Sequence, residues 1–196
     1  MRARWMALLL CLAGCPKPPP PPPPGGGSQT GSGATDGGQG ALVVPSVPPA
    51  LAIPAGPTLT FVAAARGVQI YDCATAPGTP PTWTLHAPRA DLLDASGATV
   101  GSHFGGVDRG LPPGPYWEAK DGSRVHGANP VSVPNPGSIP LLRLDAADTS
   151  GTGVFSKVAF IQRLDTTGGV APASACDAGK QIEVPYTATY YFYSKP

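Results

Sequence analysis

The sequence FSKVAFIQRL, residues 155–164, predicts the fold class of this protein. Apolar side chains occupy both alternating rows of the segment: Phe155, Ala159 and Ile161 on one, and Val158, Phe160 and Leu164 on the other. This pattern indicates a strand that is buried on both faces, because a strand with one wet face alternates apolar with polar residues. Turn-forming residues 165–172 follow this strand. We expect residues 183–193 to form the strand that pairs antiparallel with it.

The chain from residue 58 onward shows short strands separated by turns, and no segment of it has the pattern of a capped helix. Asp and Gly at 94–97 and at 120–122 supply tight turns. Many short strands with regular turns favour an all-β domain over residues 58–196, with an antiparallel sandwich or barrel-like fold. Strands are predicted at 58–64, 67–73, 82–86, 91–94, 99–104, 116–120, 123–128, 140–145, 154–164 and 182–193.

The N-terminus predicts export. Arg2 and Arg4 precede an apolar run, residues 6–12, which is too short to cross a bilayer as a helix. The following Leu12-Ala13-Gly14-Cys15 resembles a bacterial lipobox. The resemblance implies a signal peptide over residues 1–14 and a lipid on Cys15 that anchors the protein in the membrane. An ordinary secretory signal with an incidental cysteine is the alternative.

A long segment rich in proline and glycine separates the predicted domain from that anchor. Residues 15–57 are predicted to be a tether, with a polyproline spacer at 18–24, a Gly-rich coil at 25–40, and five prolines within 41–57. A ligand for a proline-binding domain is the alternative interpretation of the proline run. Pro16 is not the aspartate that retains many lipoproteins at the inner membrane, so the resemblance favours the outer membrane of the cell envelope.

Charge and cysteine content narrow the possible partners. Of the 13 lysines and arginines, two, Arg2 and Arg4, belong to the signal, so 11 basic residues face 12 acidic ones. A near-neutral chain without a basic stripe argues against binding to nucleic acid. Cys11 falls in the signal and Cys15 is the lipid site, which leaves Cys73 and Cys176. In an oxidising export context this pair favours a disulfide over a metal site or a nucleophile.

A series of motifs runs in order along the last two-thirds of the chain: GVQIYDC (67–73), Trp83 with APRADL (87–92), Gly97 with VGSH (100–103), WEAKDGS (117–123), Ile139-Pro140, IQRL (161–164), and Cys176 with PYTA (185–188). The set resembles the domain-of-unknown-function 3455 family of exported bacterial and fungal proteins. Leu141 stands where the resemblance implies tryptophan, and the loop 105–115 is longer than the family pattern.

The resemblance implies no settled activity. Some fungal members carry a malate-dehydrogenase-like label, but this chain lacks the strand, Gly-rich turn and helix of a dinucleotide site, so no cofactor is expected. The three histidines, His86, His103 and His126, form no His-x-His or His-x-x-x-His pair, and we expect no metal site. Arg163 lies in an apolar strand and needs a partner if it is buried; Asp72 and Asp165 are the candidates, and a structural ion pair is favoured over a catalytic one.

The predicted ligand-binding residues are His103, Trp117 and Asp121. If strands 99–104 and 116–120 pair, His103 lies beside Trp117, and Asp121 lies in the turn just beyond. A titratable ring beside an indole at a loop mouth favours ligand contact. The alternative is that His103 donates a hydrogen bond to a backbone carbonyl and Trp117 is part of the core.

The sequence therefore favours an envelope protein with a non-catalytic binding or interaction domain, whose ligand is a glycan or a small apolar molecule. A carbohydrate-active hydrolase is the alternative, with Glu118 and Asp121 as its carboxylate pair. A purely structural envelope component is the third interpretation.

Overall fold

The computed structural model describes residues 42–196, which form a closed barrel of eight antiparallel strands. Each strand pairs with the next along the chain, and the last pairs with the first. The predicted all-β, barrel-like fold is confirmed. The strands are β1 (Thr58–Ala74), β2 (Thr82–Leu93), β3 (Thr99–Gly105), β4 (Pro115–Ala119), β5 (Arg124–Asn135), β6 (Ser138–Ser150), β7 (Val158–Gly168) and β8 (Gln181–Ser194).

Alternation of side chains fills the barrel interior. In β1, Phe61, Ala63 and Ala65 are buried in the core, whereas Ala64 and Arg66 are exposed. The largest fully buried side chains are aromatic: Trp117, Tyr190, Phe155 and Phe192. Phe155 packs against Phe192 with ring centroids 4.5 Å apart and meets Phe61 edge to face at 5.5 Å. The interior is thus a packed core, as expected for a barrel of this strand number.

Two glycines let neighbouring strands approach closely. A Cβ atom at Gly67 in β1 would overlap the carbonyl oxygen of Arg89 in β2. A Cβ atom at Gly101 in β3 would similarly overlap the carbonyl oxygen of Glu118 in β4. Glycine within a strand commonly marks such a close approach or a barrel corner. These positions allow the sheet to curve until its edges meet.

The segment 155–164 forms a strand that is buried on both faces, and its predicted neighbour is β8. Ile161 faces the core and is 0 % exposed, and Gln162, on the opposite face, is only 1 % exposed. The strand begins at Val158, later than predicted, because residues 151–156 form a turn with positive φ at Gly151 (75°) and Gly153 (149°). Phe155 precedes the strand and is buried in the core.

The outer face of β7 is covered by a one-turn 3-10 helix, Pro49–Leu51, which we call the N-terminal turn. Leu51 is fully buried, and its carbonyl oxygen accepts a hydrogen bond of 2.7 Å from Gln162 Nε2. Arg143 Nη1 donates to the Ala52 carbonyl oxygen at 3.0 Å. The packed part of the chain thus begins within the range predicted as tether, and the rest of that prediction, through residue 41, lies outside the described residues.

Several predicted strand boundaries were wrong. The predicted strands 58–64 and 67–73 are one strand, β1, which continues through Gly67 without a turn. The predicted strands 82–86 and 91–94 are also one strand, β2, which contains a β-bulge where a turn was expected. Lys120, the last residue of the predicted strand 116–120, and Ser123, the first residue of 123–128, lie outside the strands, since β4 ends at Ala119 and β5 begins at Arg124. β5 contains Pro130 and Pro134, and β4 pairs with β5 only as far as His126, so both prolines lie where no donor to β4 is required.

Within residues 42–196 there is no helix of the length and apolar character needed to cross a membrane.

The predicted disulfide between Cys73 and Cys176 is present, with Cα atoms 5.8 Å apart and a sequence separation of 103 residues. It joins the end of β1 to the loop before β8. Backbone hydrogen bonds support the same junction: Cys73 N donates to Lys180 O at 2.7 Å, and Gly179 N donates to Cys73 O at 3.1 Å.

Replacing both Cys73 and Cys176 with alanine is expected to lower the free energy of unfolding by about 2–5 kcal/mol, since the crosslink restricts a long loop in the unfolded chain. Urea denaturation of the oxidised parent and the double variant measures the difference. Equal stability of the two proteins would show that the bond contributes nothing to the fold.

Candidate functional site

Two of the three predicted ligand-binding residues meet inside the barrel. His103 in β3 is the cross-strand partner of Trp117 in β4, and the two rings stack with centroids 4.5 Å apart and an interplanar angle of 11°. Both side chains are at least 98 % buried. His103 Nδ1 lies 2.8 Å from the Tyr116 carbonyl oxygen, so the neutral ring donates this hydrogen bond. The contact corresponds to the alternative interpretation of this pair, in which histidine bonds a carbonyl and tryptophan is core.

Burial determines the charge state of His103. Complete removal from water lowers the pKa of its ring to about 3, and the distant positive charge of Arg163 acts in the same direction, whereas the hydrogen bond to Tyr116 opposes both. The ring therefore stays neutral at physiological pH. A neutral, fully buried imidazole stacked on an indole has the properties of a core residue.

Asp121 lies apart from that pair and holds a turn. Its Oδ1 accepts hydrogen bonds from Ser123 N (2.8 Å) and Ser123 Oγ (2.6 Å), and its Oδ2 accepts one from Val154 N (2.9 Å). Partial burial raises the pKa of this carboxyl group, but the hydrogen bonds from Ser123 and Val154 outweigh it and lower the pKa overall. Asp121 thus fastens the β4–β5 turn to the loop before β7.

The carboxylate pair of the hydrolase alternative is engaged in structural contacts. Glu118 accepts from Arg124 at 3.4 Å and lies 3.6 Å from Arg109, and Asp121 has the turn contacts described above. A glycosidase needs one carboxyl group with a raised pKa to act as general acid. The lowered pKa of Asp121 is opposite to that requirement.

The prediction that Arg163 pairs with Asp72 or Asp165 was wrong. Arg163 Nε and Nη2 donate to the Pro140 carbonyl oxygen at 3.2 and 2.9 Å. Asp165, with positive φ of 51°, is exposed, and Asp72 is bonded to other residues. Strand alternation predicts which side of a sheet Arg163 faces, but a backbone carbonyl on the neighbouring β6 supplies the acceptor that a carboxylate was expected to provide.

The outer face of β1, β2 and β3 carries a groove of about 390 Å³, which we call the arginine groove. Arg66 from β1, Arg89 from β2 and Arg109 from the loop after β3 line it, together with Asp91 and Ser102. His103 also contributes to its lining but is only 2 % exposed, so its ring is not available to a ligand there. Asp91, the cross-strand partner of Arg66, is the acidic residue of this lining, so the lining combines three arginines with one carboxylate.

The arginines keep free donors in the groove. Arg89 Nη2 donates to Glu183 Oε1 at 2.7 Å, with both side chains close to half exposed or more, and Arg109 lies 3.6 Å from Glu118. Arg66 forms no salt bridge with any residue between 42 and 196. Since a guanidinium group has five N–H donors and exposed ion pairs are weak, an anion can bind in competition with the two glutamates.

Arg109 is held by a second 3-10 turn, Gly106–Arg109, which we call the groove turn. Its guanidinium carbon lies 3.4 Å from the centre of the Phe104 ring, which is a close cation–π contact. Phe104 in turn stacks on Tyr116 with centroids 5.8 Å apart, and Tyr116 stacks on His126 at 4.3 Å. The outward-facing aromatic row across β3, β4 and β5 thus supports one arginine of the groove.

Next to the groove turn, His86 bridges two carboxylates in an arrangement that we call the His86 clamp. Its Nδ1 lies 2.8 Å from Asp72 Oδ2, and its Nε2 lies 2.8 Å from Asp108 Oδ1. Gln181 Nε2 donates to the other oxygen of Asp72 at 2.9 Å. The clamp connects β1, β2 and the groove turn.

Sequence reasoning missed the arginine groove and the His86 clamp. Strand alternation shows that Arg66 and Arg89 point outward from the barrel. It does not show that Arg109, from the loop after β3, lies close to both of them. The register of β1 with β2 and of β2 with β3 decides that meeting. Among the described residues, no group of three or more His, Cys, Asp or Glu side chains is arranged to hold a metal ion.

A family model described as "Protein of unknown function (DUF3455)" matches residues 54–194. The chain belongs to this family. Comparison with curated proteins and with solved structures found no match. The match covers all eight strands, so the barrel and the arginine groove lie within the family domain.

The neutral state of His103 predicts a specific loss of stability in acid. Its folded-state pKa of about 3 lies below the unfolded value of 6.5, so the unfolded chain binds the extra proton as the pH falls between these values. This one group should then cost up to about 1.4 kcal/mol per pH unit in that window.

The variant His103→Phe keeps the stacked ring and removes the titration. We expect urea denaturation to show it less stable than the parent near neutral pH, where the hydrogen bond to Tyr116 is lost, and the difference should shrink as the pH is lowered. A difference that stays constant with pH would contradict the neutral, buried state of His103.

Proposed function

We propose that this protein is an exported, lipid-anchored binding protein of the cell envelope, and that its barrel binds an anionic glycan in the arginine groove. The observation that carries the proposal is the convergence of Arg66, Arg89 and Arg109 on one groove of about 390 Å³. Volumes of this order are typical of small-molecule sites and accommodate one or two sugar units with their charged substituents.

The chemistry of the groove favours sulfate, phosphate or carboxylate groups on the ligand. The planar guanidinium group of arginine matches such oxyanions in a bidentate fashion, which gives orientation as well as attraction. Asp91 and Ser102 lie in the same lining and offer the hydrogen-bond acceptors and donors that sugar hydroxyl groups require. A charged sugar unit therefore suits this groove better than the apolar ligand also considered from the sequence.

The anchor is proposed from the sequence. Leu12-Ala13-Gly14-Cys15 has the small residues and the cysteine of a lipobox, and the proline- and glycine-rich segment after it suits a spacer between lipid and barrel. Pro16, in place of the aspartate that retains many lipoproteins at the inner membrane, favours an outer-membrane location. A polymer of the envelope would then be within reach of the anchored barrel.

A purely structural envelope component is the second candidate. The filled barrel interior favours it, because Trp117, Tyr190, Phe155 and Phe192 occupy the space where a barrel commonly holds a ligand. The arginine groove lies outside the barrel and is the feature that this alternative leaves unexplained.

The double variant Arg66→Gln, Arg89→Gln should weaken binding of a sulfated dextran oligosaccharide by about tenfold or more, since each lost charged contact is worth more than 1 kcal/mol. Isothermal calorimetry at low and at high salt measures the affinity, which should fall with salt. The matched control is Lys157→Gln, Lys195→Gln, which removes the same charge from exposed positions outside the groove. Equal losses in both double variants would indicate unspecific charge attraction and contradict the proposed site.

The variant Cys15→Ser should move the protein from the membrane fraction to the soluble fraction, because it removes the thiol that carries the lipid. Cys11→Ser is the matched control, since Cys11 lies within the predicted signal peptide and should leave the anchoring unchanged. Membrane fractionation followed by immunoblotting measures the distribution. A Cys15→Ser protein that still sediments entirely with membranes would exclude anchoring through this residue.

A further inference from the structure

The His86 clamp has the geometry of a proton-dependent contact. Both ring nitrogens lie 2.8 Å from a carboxylate oxygen, one on Asp72 and one on Asp108. A neutral imidazole has one N–H and can donate to only one of them, whereas the imidazolium ion donates to both. Both contacts can therefore be hydrogen bonds at the same time only when His86 is protonated.

A β-bulge aims His86 at these partners. In the β1–β2 pairing, Ile70 lies opposite Ala87 and Tyr71 lies opposite Leu85, so His86 is the extra residue on β2. Bulges redirect a side chain and are frequent near functional sites. Here the bulge places the ring between β1, which carries Asp72, and the groove turn, which carries Asp108.

The clamp acts on the arginine groove through the groove turn. Asp108 and Arg109 are consecutive residues in this single 3-10 turn, so the contact that fixes Asp108 also limits the positions of Arg109. The backbone hydrogen bonds of the turn are those from Leu111 N to Gly106 O at 2.9 Å, from Gly106 N to Gly114 O at 2.9 Å, and from Gly110 N to Gly106 O and Val107 O, the latter at 3.4 Å. A single 3-10 turn has little stability of its own, so side-chain contacts decide how well it is fixed.

We propose that the protonation of His86 regulates the arginine groove, so that the groove binds its anionic ligand more tightly when the clamp is closed than when His86 is neutral. This inference rests on the proposed function. Two effects have the same sign: the open clamp releases the turn that carries Arg109, and it leaves the negative charges of Asp72 and Asp108 uncompensated near an anion site.

The surroundings of His86 place this change in an accessible pH range. The hydrogen bond to Asp108 and the charges of Asp72 and Asp108 raise the pKa of the His86 ring, and its partial burial opposes them. Asp72 is the charged contact from β1 and Asp108 the one from the groove turn, while β8 contributes the neutral Gln181 through Asp72. The clamp is then closed below the ordinary histidine pKa of 6.5 and opens as the pH rises through the raised value.

The test measures binding of a sulfated dextran oligosaccharide to the full mature protein in detergent at about pH 6 and about pH 9, on either side of the histidine titration. Sulfate esters keep their charge throughout this range, so a change in affinity reports on the protein. The parent should bind about two- to fivefold more weakly at the higher pH, a range set by the modest strength of partly exposed ion pairs. Amide protection factors of Gly110 and Leu111 should fall with the same midpoint, which reports on the groove turn without any ligand.

Variants separate the clamp from other titrating groups. His86→Gln should remove most of the pH dependence and bind as weakly as the parent does at high pH. Asp108→Asn should also remove most of the pH dependence, but with a smaller loss of affinity, because it removes a negative charge near the anion site. Asp177→Asn is the matched control for Asp108→Asn, because Asp177 is an exposed carboxylate outside the groove lining, and its variant should keep the pH dependence.

The outcomes distinguish this inference from the function on which it rests. Binding that depends on Arg66 and Arg89 but is equal at both pH values would overturn the regulation and leave the groove intact. An affinity of His86→Gln that still depends on pH would also overturn the regulation. Failure of the sulfated probe to bind at either pH would overturn the proposed function, and the regulation with it.

Discussion

The pairing of β1 with β8 is the constraint on which the rest of the structure depends. It runs antiparallel from Thr58 opposite Ser194 to Asp72 opposite Gln181, and it turns an open sheet into a closed barrel. Closure encloses one face of every strand, so the inward-facing side chains of all eight strands build one core. The disulfide between Cys73 and Cys176 fastens this junction at one end, so backbone pairing and a covalent crosslink stabilise the same seam.

Closure also determines which polar side chains can be buried in the core without a large free-energy cost. His103 lies inside, stacked on Trp117 and bonded to the Tyr116 carbonyl oxygen. It is tolerated because the ring remains neutral and its one donor is satisfied. The buried polar ring of His103 is thus explained by its satisfied hydrogen bond. His103 and Trp117, which the sequence predicted as ligand contacts, contribute to the packing of the barrel.

The surface chemistry lies on the opposite face of the same strands. Arg66 and Arg89 alternate with core residues of β1 and β2, and Arg109 reaches the groove from the loop that connects β3 to β4. The aromatic row that begins with Phe104 supports this arginine from below. Function in this barrel would therefore depend on the outer face, with the packed interior acting as a rigid support for side chains that converge from three elements.

The sequence by itself determined the fold class, the disulfide and the proximity of His103 to Trp117. Each of these follows from local information: alternation along segments such as 155–164, the two cysteines that remain after export, and two strands joined by one loop. The tertiary structure alone decided that β1 closes on β8, that Asp121 fastens a turn to the loop before β7, and that Arg66, Arg89 and Arg109 share a groove. The physical reason is register: alternation shows which side of its own strand a residue faces, whereas only the pairing of strands far apart in the chain sets which residues lie at the same height.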